Sequence, residues 1–200
     1  MEPFEEEFRA QGFRAIAGLD EAGRGPLAGP VVAAAVILPS NENLKGIDDS
    51  KKLSATQRED GFGLLREKAV AIGIGVVEVQ EIDRLNILQA SLKAMAIAVQ
   101  NLSPSPDLLL IDGIHPLAFP LAQRSIPKGD QRCLSIAAAS IVAKVTRDRL
   151  MLAYHNKYPE YNFAKNKGYG TKEHFQAIRT YGCCPLHRQS FKTIYQPALL

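Results

Sequence analysis

The stretch Ile16-Ala17-Gly18-Leu19-Asp20-Glu21-Ala22-Gly23-Arg24-Gly25 runs an apolar lead-in straight into two adjacent carboxylates and then a glycine-flanked arginine. Ala15 to Leu19 reads as the end of a buried strand. Carboxylates placed there repel each other, and burying them unpaired is costly. A hard divalent cation removes that cost: Mg²⁺ takes oxygen ligands and usually keeps waters that a substrate can replace. The glycines let the backbone approach a ligand closely, successive N–H groups make an anion-binding concavity, and the Arg24 fork suits phosphate. The same stretch therefore offers a place for a cation and a place for a phosphate. An exposed turn of charged residues is the competing reading.

A dinucleotide fingerprint does not fit. Gly23, Gly25 and Gly29 have the wrong spacing, Pro26 and Pro30 interrupt the segment, and Val31 to Leu38 has strand character where the fingerprint needs the start of a helix. This apolar run predicts an antiparallel partner for the first strand, ended by Pro39-Ser40-Asn41-Glu42-Asn43. Outward from there, Gly46 to Leu53 is polar and loop-like, and Ser50, Lys51 and Lys52 are candidate phosphate contacts or a solvated charge run. Ser54 and Gln57 form a capping-box pattern that opens a helix to about Val70. Ile72 to Val79 predicts a third strand, and Glu81 to Leu102 one amphipathic helix, with Leu85, Leu88, Leu92, Met95 and Val99 on its apolar face. Ser103-Pro104-Ser105-Pro106 stops it.

Leu108 to Ile111 is a continuous apolar run suited to a strand buried on both faces. It ends in Asp112, so two buried strands each terminate in a carboxylate, and in open α/β sheets sites form at strand ends. Asp130 follows as a fourth acidic candidate. A long helix is predicted from Leu134 to Tyr158, its first half apolar and small. Ser140, Lys144 and Arg147 share one face of it, as a site or as cations snorkelling to solvent. Thr171 caps a short helix to about Tyr181, and Gly182 to Phe191 reads as coil.

The 200 residues and 46% hydrophobic content suit a single domain with a sizeable core. A net charge of +3 is compatible with a polyanionic partner. The acidic start lacks the features of a signal peptide, and no apolar run is long enough to span a bilayer. Adjacent Cys183 and Cys184 suit reduced thiols in a cytoplasmic protein. With His187 they fall short of a recognised zinc set, and nothing favours a Cys–His hydrolase.

Seven collinear stretches resemble the ribonuclease HII family. They are Gly18 to Gly25, Asp49-Ser50-Lys51, Ile111-Asp112-Gly113, Lys128-Gly129-Asp130, Ser135 to Val145, Lys167 to Thr171, and Pro185-Leu186-His187-Arg188 with Ser190-Phe191. The resemblance implies an α/β RNase H-like fold, a mixed central sheet flanked by helices, with residues 14–158 as the catalytic domain and 159–200 as a helical, substrate-contacting C-terminal extension. It implies an endonuclease that cuts the RNA strand of RNA–DNA hybrids and nicks 5′ to single ribonucleotides in duplex DNA, as in ribonucleotide excision repair and DNA replication. Mg²⁺ or Mn²⁺ is implied as cofactor, with Asp20, Glu21, Asp112 and Asp130 as catalytic residues and metal ligands. Two metals about 3.5–4 Å apart suit in-line attack by water on a phosphodiester. Asp20 is assigned as the bridging ligand, Glu21 and Asp112 to one ion, and Asp130 to the other. Expected substrate contacts are Gly23, Arg24, Gly25, Ser50, Lys51, Ser140, Lys144 and Tyr169. Of these, Gly23 to Gly25 read the 2′-hydroxyl, and Tyr169 packs on the following deoxyribose. The expected partners are hybrid and ribonucleotide-containing duplex, with no membrane and the chain acting as a monomer. A junction resolvase on the same fold and a non-catalytic hybrid-binding module are the alternatives. The second does not explain four carboxylates, which repel a phosphate backbone unless metals neutralise them.

Overall fold

The computed structural model describes residues 1–40, 44 and 46–191. The part of the predicted turn at residues 41–43, and the end of the extension at 192–200, lie outside the described residues. Five strands form one sheet: β1 (Ile16–Ala22), β2 (Val31–Ile37), β3 (Ala71–Val77), β4 (Leu108–Asp112) and β5 (Ala122–Ile126), in the order β3-β2-β1-β4-β5. The first three form the expected antiparallel meander, whereas β1–β4 and β4–β5 are parallel.

Period-two alternation sorts the core. Ala33, Ala35 and Ile37 of β2, with Leu19, Leu109 and Ile111, face one layer; Ala34 and Val36 face the other. The first layer is α3 (Val79–Leu85) and α4 (Ile87–Gln100). The second is α2 (Ala55–Lys68) and α6 (Leu134–Lys157), with the short α5 (Gly129–Arg132) leading into α6. The small-residue first half of α6 permits close packing: a Cβ on Gly18 of β1 would collide with the backbone of Ser135 and Ile136.

The predicted capping box is present. The Gln57 N–H donates to Ser54 Oγ at 3.2 Å, and Gln57 Oε1 accepts from the Ser54 N–H at 2.8 Å. The single helix expected over Glu81 to Leu102 is instead two. Asn86, at φ 72°, breaks it, and its Oδ1 caps α4 by accepting from the N–H groups of Leu88 and Gln89 at 3.0 and 3.1 Å. Asparagine tolerates left-handed φ and caps well, which outweighs apolar periodicity. Several elements carry no signal in the sequence pattern. Helix α1 (Phe4–Ala10) packs Phe4 and Phe8 against the core, and Glu5 Oε1 accepts from the Ser135 N–H at the start of α6 at 2.7 Å. Strand β5 has only Ile126 buried and no apolar run to signal it.

Beyond α6 the chain forms a 3₁₀ turn (Pro159–Tyr161), α7 (Phe163–Asn166) and α8 (Lys172–Tyr181), the last capped by Thr171 as expected. Tyr161, Phe163, Ala177 and Cys184 cluster with Met151 of α6 and with Ala28. The final stretch is coil, but it is not loose: His187 and Arg188 are fully buried. His187 Nε2 lies 3.0 Å from His174 Nε2. Cys133, Cys183 and Cys184 are all free.

Candidate active site

Parallel pairing of β1 with β4 runs to Leu19 opposite Ile111. One residue further, Asp20 of β1 and Asp112, the last residue of β4, stand side by side, on the α6 face by the alternation described above. Asp20 is only 5% exposed, and its Oδ1 accepts from the Glu21 N–H at 2.7 Å. Asp112 Oδ1 accepts from the Gly129 N–H at 2.7 Å, which fixes the start of α5 and so places Asp130.

These strand ends open into a cleft of about 300 Å³. Asp20, Glu21 and Asp112 line it, and Gly23, Arg24, Gly25 and Tyr169 form part of its wall. Ser50 and Lys51 come from the loop before α2, and Ser140 and Lys144 from α6. Ser140 Oγ accepts from the Ser50 N–H at 3.2 Å, tying that loop to the helix. Asp130 does not line the cleft. It lies behind Lys51, whose Nζ donates to Asp130 Oδ2 at 2.6 Å. Three cleft residues, Ala22, Arg58 and Arg147, are not among the expected site residues. Arg58 donates to the Ser50 and Leu53 carbonyls at 2.9 and 2.6 Å. Arg147 shares the Ser140 and Lys144 face of α6, which the sequence reads as a site or as cations snorkelling to solvent, and it lines the cleft. Arg58 sits in the first turns of a polar helix, where nothing in its spacing marks it.

Tyr169 is a large ring left 46% exposed, and a Cβ on Gly25 would sit 3.6 Å from its Cε1. Its backbone is held: its N–H donates to Asn166 O, and its carbonyl oxygen lies 2.9 Å from His174 Nδ1. The ring thus stands in the cleft on a fixed backbone rather than filling the core.

Burial first, then the charges of Glu21 and Asp112, push the Asp20 carboxyl well above its ordinary range. Burial also raises Glu21, against the pull of Arg24. Asp112 is raised by burial and by Asp130. For Lys51 burial favours the neutral amine, but the hydrogen bond and charge of Asp130 outweigh it and hold the ammonium. Burial lowers Lys144, opposed by Asp148 at 2.7 Å.

The donor chemistry suits a hard divalent cation: oxygen ligands only, crowded, with a buried carboxyl whose charge lacks an adjacent cation of its own. The side chains are not, however, already gathered around a point. Among the described residues no three acidic, histidine or cysteine side chains form a ready cluster. Glu21 is turned to Arg24 at 3.2 Å and Asp130 to Lys51. For Glu21 and Asp130 to hold an ion, as the sequence leads one to expect, each would have to exchange its cationic partner.

A mixed sheet whose central parallel strands carry neighbouring carboxylates, flanked by helices on both faces, is an RNase H-like fold. Among solved structures, ribonuclease H2 from Pyrococcus horikoshii OT3 superposes with a TM-score of 0.78 and 28% identity, covering 92% of this chain and 96% of that one. Bst-RNase HIII in complex with Mn²⁺ shares the fold at a TM-score of 0.65 and 19% identity, covering 92% of this chain and 70% of that one. The family model for Ribonuclease HII matches residues 17–194. The Ribonuclease HII of Syntrophus aciditrophicus is 57% identical over 192 residues, covering 96% of this chain and 91% of that protein. The chain belongs to the ribonuclease HII family. It is a ribonuclease H endonuclease, of the class that acts on RNA–DNA hybrids.

Proposed function

We propose that this cleft nicks duplex DNA on the 5′ side of a single embedded ribonucleotide, besides cutting the RNA strand of continuous hybrids. The observation that carries this reading is that Asp20 and Asp112 line the same cleft as the Gly23–Gly25 backbone and Tyr169, whose Cε1 stands 3.6 Å from where a Cβ on Gly25 would sit. The first pair suits phosphodiester hydrolysis and the second suits reading one ribose and the sugar after it. Asp20, Glu21, Asp112 and Asp130 hold the divalent ions. When bound, Mg²⁺ or Mn²⁺ supply charge neutralisation at the attacking water and the leaving oxygen. Arg24 and Lys51, freed from Glu21 and Asp130, become available to phosphate, joined by Lys144 and the Ser50–Ser140 junction. The N–H groups of Arg24 and Gly25 donate to the ribose 2′-oxygen. Tyr169 packs on the next sugar, where a hydroxyl would clash or be left unpaired.

In the reaction the water oxygen attacks phosphorus, the bond to the upstream 3′-oxygen breaks, and that oxygen takes a proton. The ends are a 3′-hydroxyl and a 5′-phosphate. Residues 14–158 supply the catalytic part and 159–200 the substrate-contacting extension, with the cleft complete in one chain. No membrane enters this reading: among the described residues no helix is long and apolar enough to cross one. Product ends test it. A strand cut 5′ to the ribonucleotide, with an upstream fragment that a polymerase extends, is expected. A cut on the 3′ side ending in a cyclic phosphate would make the ribose 2′-hydroxyl the nucleophile and overturn it.

A further inference from the structure

Arg188 and Arg147 are the two largest fully buried side chains, at 0% and 1% exposure. Among the described residues neither guanidinium is in a salt bridge. Arg188 spends its donors on backbone carbonyls of one loop, the segment joining β1 to β2, and Arg147 divides its own between that loop and the Lys167 carbonyl, which its Nη1 meets at 2.9 Å. Arg188 donates from Nη2 to Gly23 O at 2.6 Å, from Nη1 to Arg24 O at 3.0 Å and from Nε to Gly29 O at 3.0 Å. Arg147 donates from Nε to Pro30 O at 3.0 Å and from Nη2 to Ala28 O at 3.1 Å. Gly23, at φ 100°, has no room for a Cβ because Arg147 fills that space.

The geometry of the peptide unit turns this into a statement about the cleft. In a trans peptide the C=O and the next N–H point in opposite directions. Arg188 draws the Gly23 and Arg24 carbonyls inward, so the N–H groups of Arg24 and Gly25 point outward, toward the cleft their residues line. Among the described residues those two N–H groups have no acceptor in the chain. Arg188 is held in turn. Asp83 of α3 accepts from the Gln189 and Ser190 N–H groups at 2.9 Å each and from Ser190 Oγ at 2.6 Å. The Arg188 N–H donates to Leu27 O at 2.9 Å. Burial, then Arg147, lowers Arg188 to about 9, so it still carries its charge at neutral pH.

We propose that Arg188 is the positioning residue of the ribose reader: from behind the loop it fixes the Arg24 and Gly25 N–H groups in the orientation that meets a 2′-oxygen. This rests on the reading of the Gly23–Gly25 backbone given above. A planar guanidinium with five donors satisfies several carbonyls at once, which an ammonium on a flexible stem does not.

The test compares binding, in EDTA, of a duplex with one ribonucleotide and the same duplex in all-DNA form, by wild type, Arg188→Lys and Arg188→Ala. Wild type is expected to prefer the ribonucleotide. Arg188→Lys should lose about tenfold of that preference, the scale of one or two net hydrogen bonds, with all-DNA affinity within about twofold. In Arg188→Ala, guanidinium at low millimolar concentration should restore the preference and methylammonium should not. A folded Arg188→Lys with undiminished preference overturns the proposal. Wild type without any preference overturns instead the reading of Gly23–Gly25 as the ribose reader. Amide exchange in free wild type decides the geometry even if the variants do not fold. Arg24 and Gly25 should exchange fast beside slow Leu27 and Gly29, whose N–H groups donate to Gly168 O and Leu186 O. Protected Arg24 and Gly25 amides overturn the proposal.

Discussion

Replacing Asp20 by asparagine should abolish cleavage and at the same time make the metal-free protein more stable. Asp20 is buried and accepts the Glu21 N–H, a bond that an asparagine side-chain oxygen can keep. What the substitution removes is a charge that burial, Glu21 and Asp112 all oppose. Relief of one poorly compensated buried group is on the order of 1–3 kcal/mol, and a chain of this size gains roughly 2–4 °C in Tm per kcal/mol. The sign of the pH dependence follows. A carboxyl raised in the folded state favours folding at low pH, and that contribution is lost as pH rises through its folded pKa. The advantage of the variant in EDTA should therefore be small at pH 4 and largest at pH 8. Mg²⁺ should raise the Tm of wild type and leave the variant nearly unchanged, because ligand binding stabilises only a fold that binds it. Thermal unfolding at the two pH values, with EDTA or Mg²⁺, measures all of this. A variant that melts below wild type in EDTA at pH 8, or that gains as much from Mg²⁺ as wild type does, would refute the reasoning.

Lys51→Ala and Lys144→Ala should each flatten the salt dependence of hybrid binding by about one unit or less; unchanged slopes in a titration of affinity against salt would mark them as solvated charges. Tyr169→Ala should keep most duplex binding yet lose cleavage at RNA–DNA junctions by a large factor, with less discrimination between a single ribonucleotide and continuous RNA, as turnover on both substrates will show. Burial and His174 lower His187 to about 4 from its ordinary 6.5. Its neutral form supports folding above about pH 6.5, and that support should be lost toward pH 4; denaturant midpoints of wild type and His187→Gln across this window should converge as pH falls.

What the sequence discloses and what it conceals divide along physical lines. Strands β1, β2 and β4 are read from apolar runs, those of β1 and β4 leading into carboxylates, and the meeting of Asp20 with Asp112 needs only parallel pairing and period-two alternation. Ser140 and Lys144 follow from helical spacing, and the resemblance carries Tyr169. The ion pairs that hold Glu21 and Asp130 away from a shared centre are not legible, since Arg24–Glu21 is local but Lys51–Asp130 joins distant loops. Strand β5 is hidden because an edge strand needs no apolar face. Asn86 shows a local conformational preference overriding a periodicity that runs through it. Arg188 sits in a segment with no pattern of secondary structure at all, and only the carbonyls it gathers from a loop some 160 positions earlier give it meaning.

The central claim is metal-dependent hydrolysis at a ribose set in DNA. A labelled duplex with one embedded ribonucleotide, incubated with the protein in Mg²⁺ or in EDTA beside an all-DNA control, tests it most directly. The account predicts a single nick 5′ to the ribonucleotide in Mg²⁺, none in EDTA and none in the control. Cutting that persists in EDTA, or that falls equally on the all-DNA duplex, would contradict it.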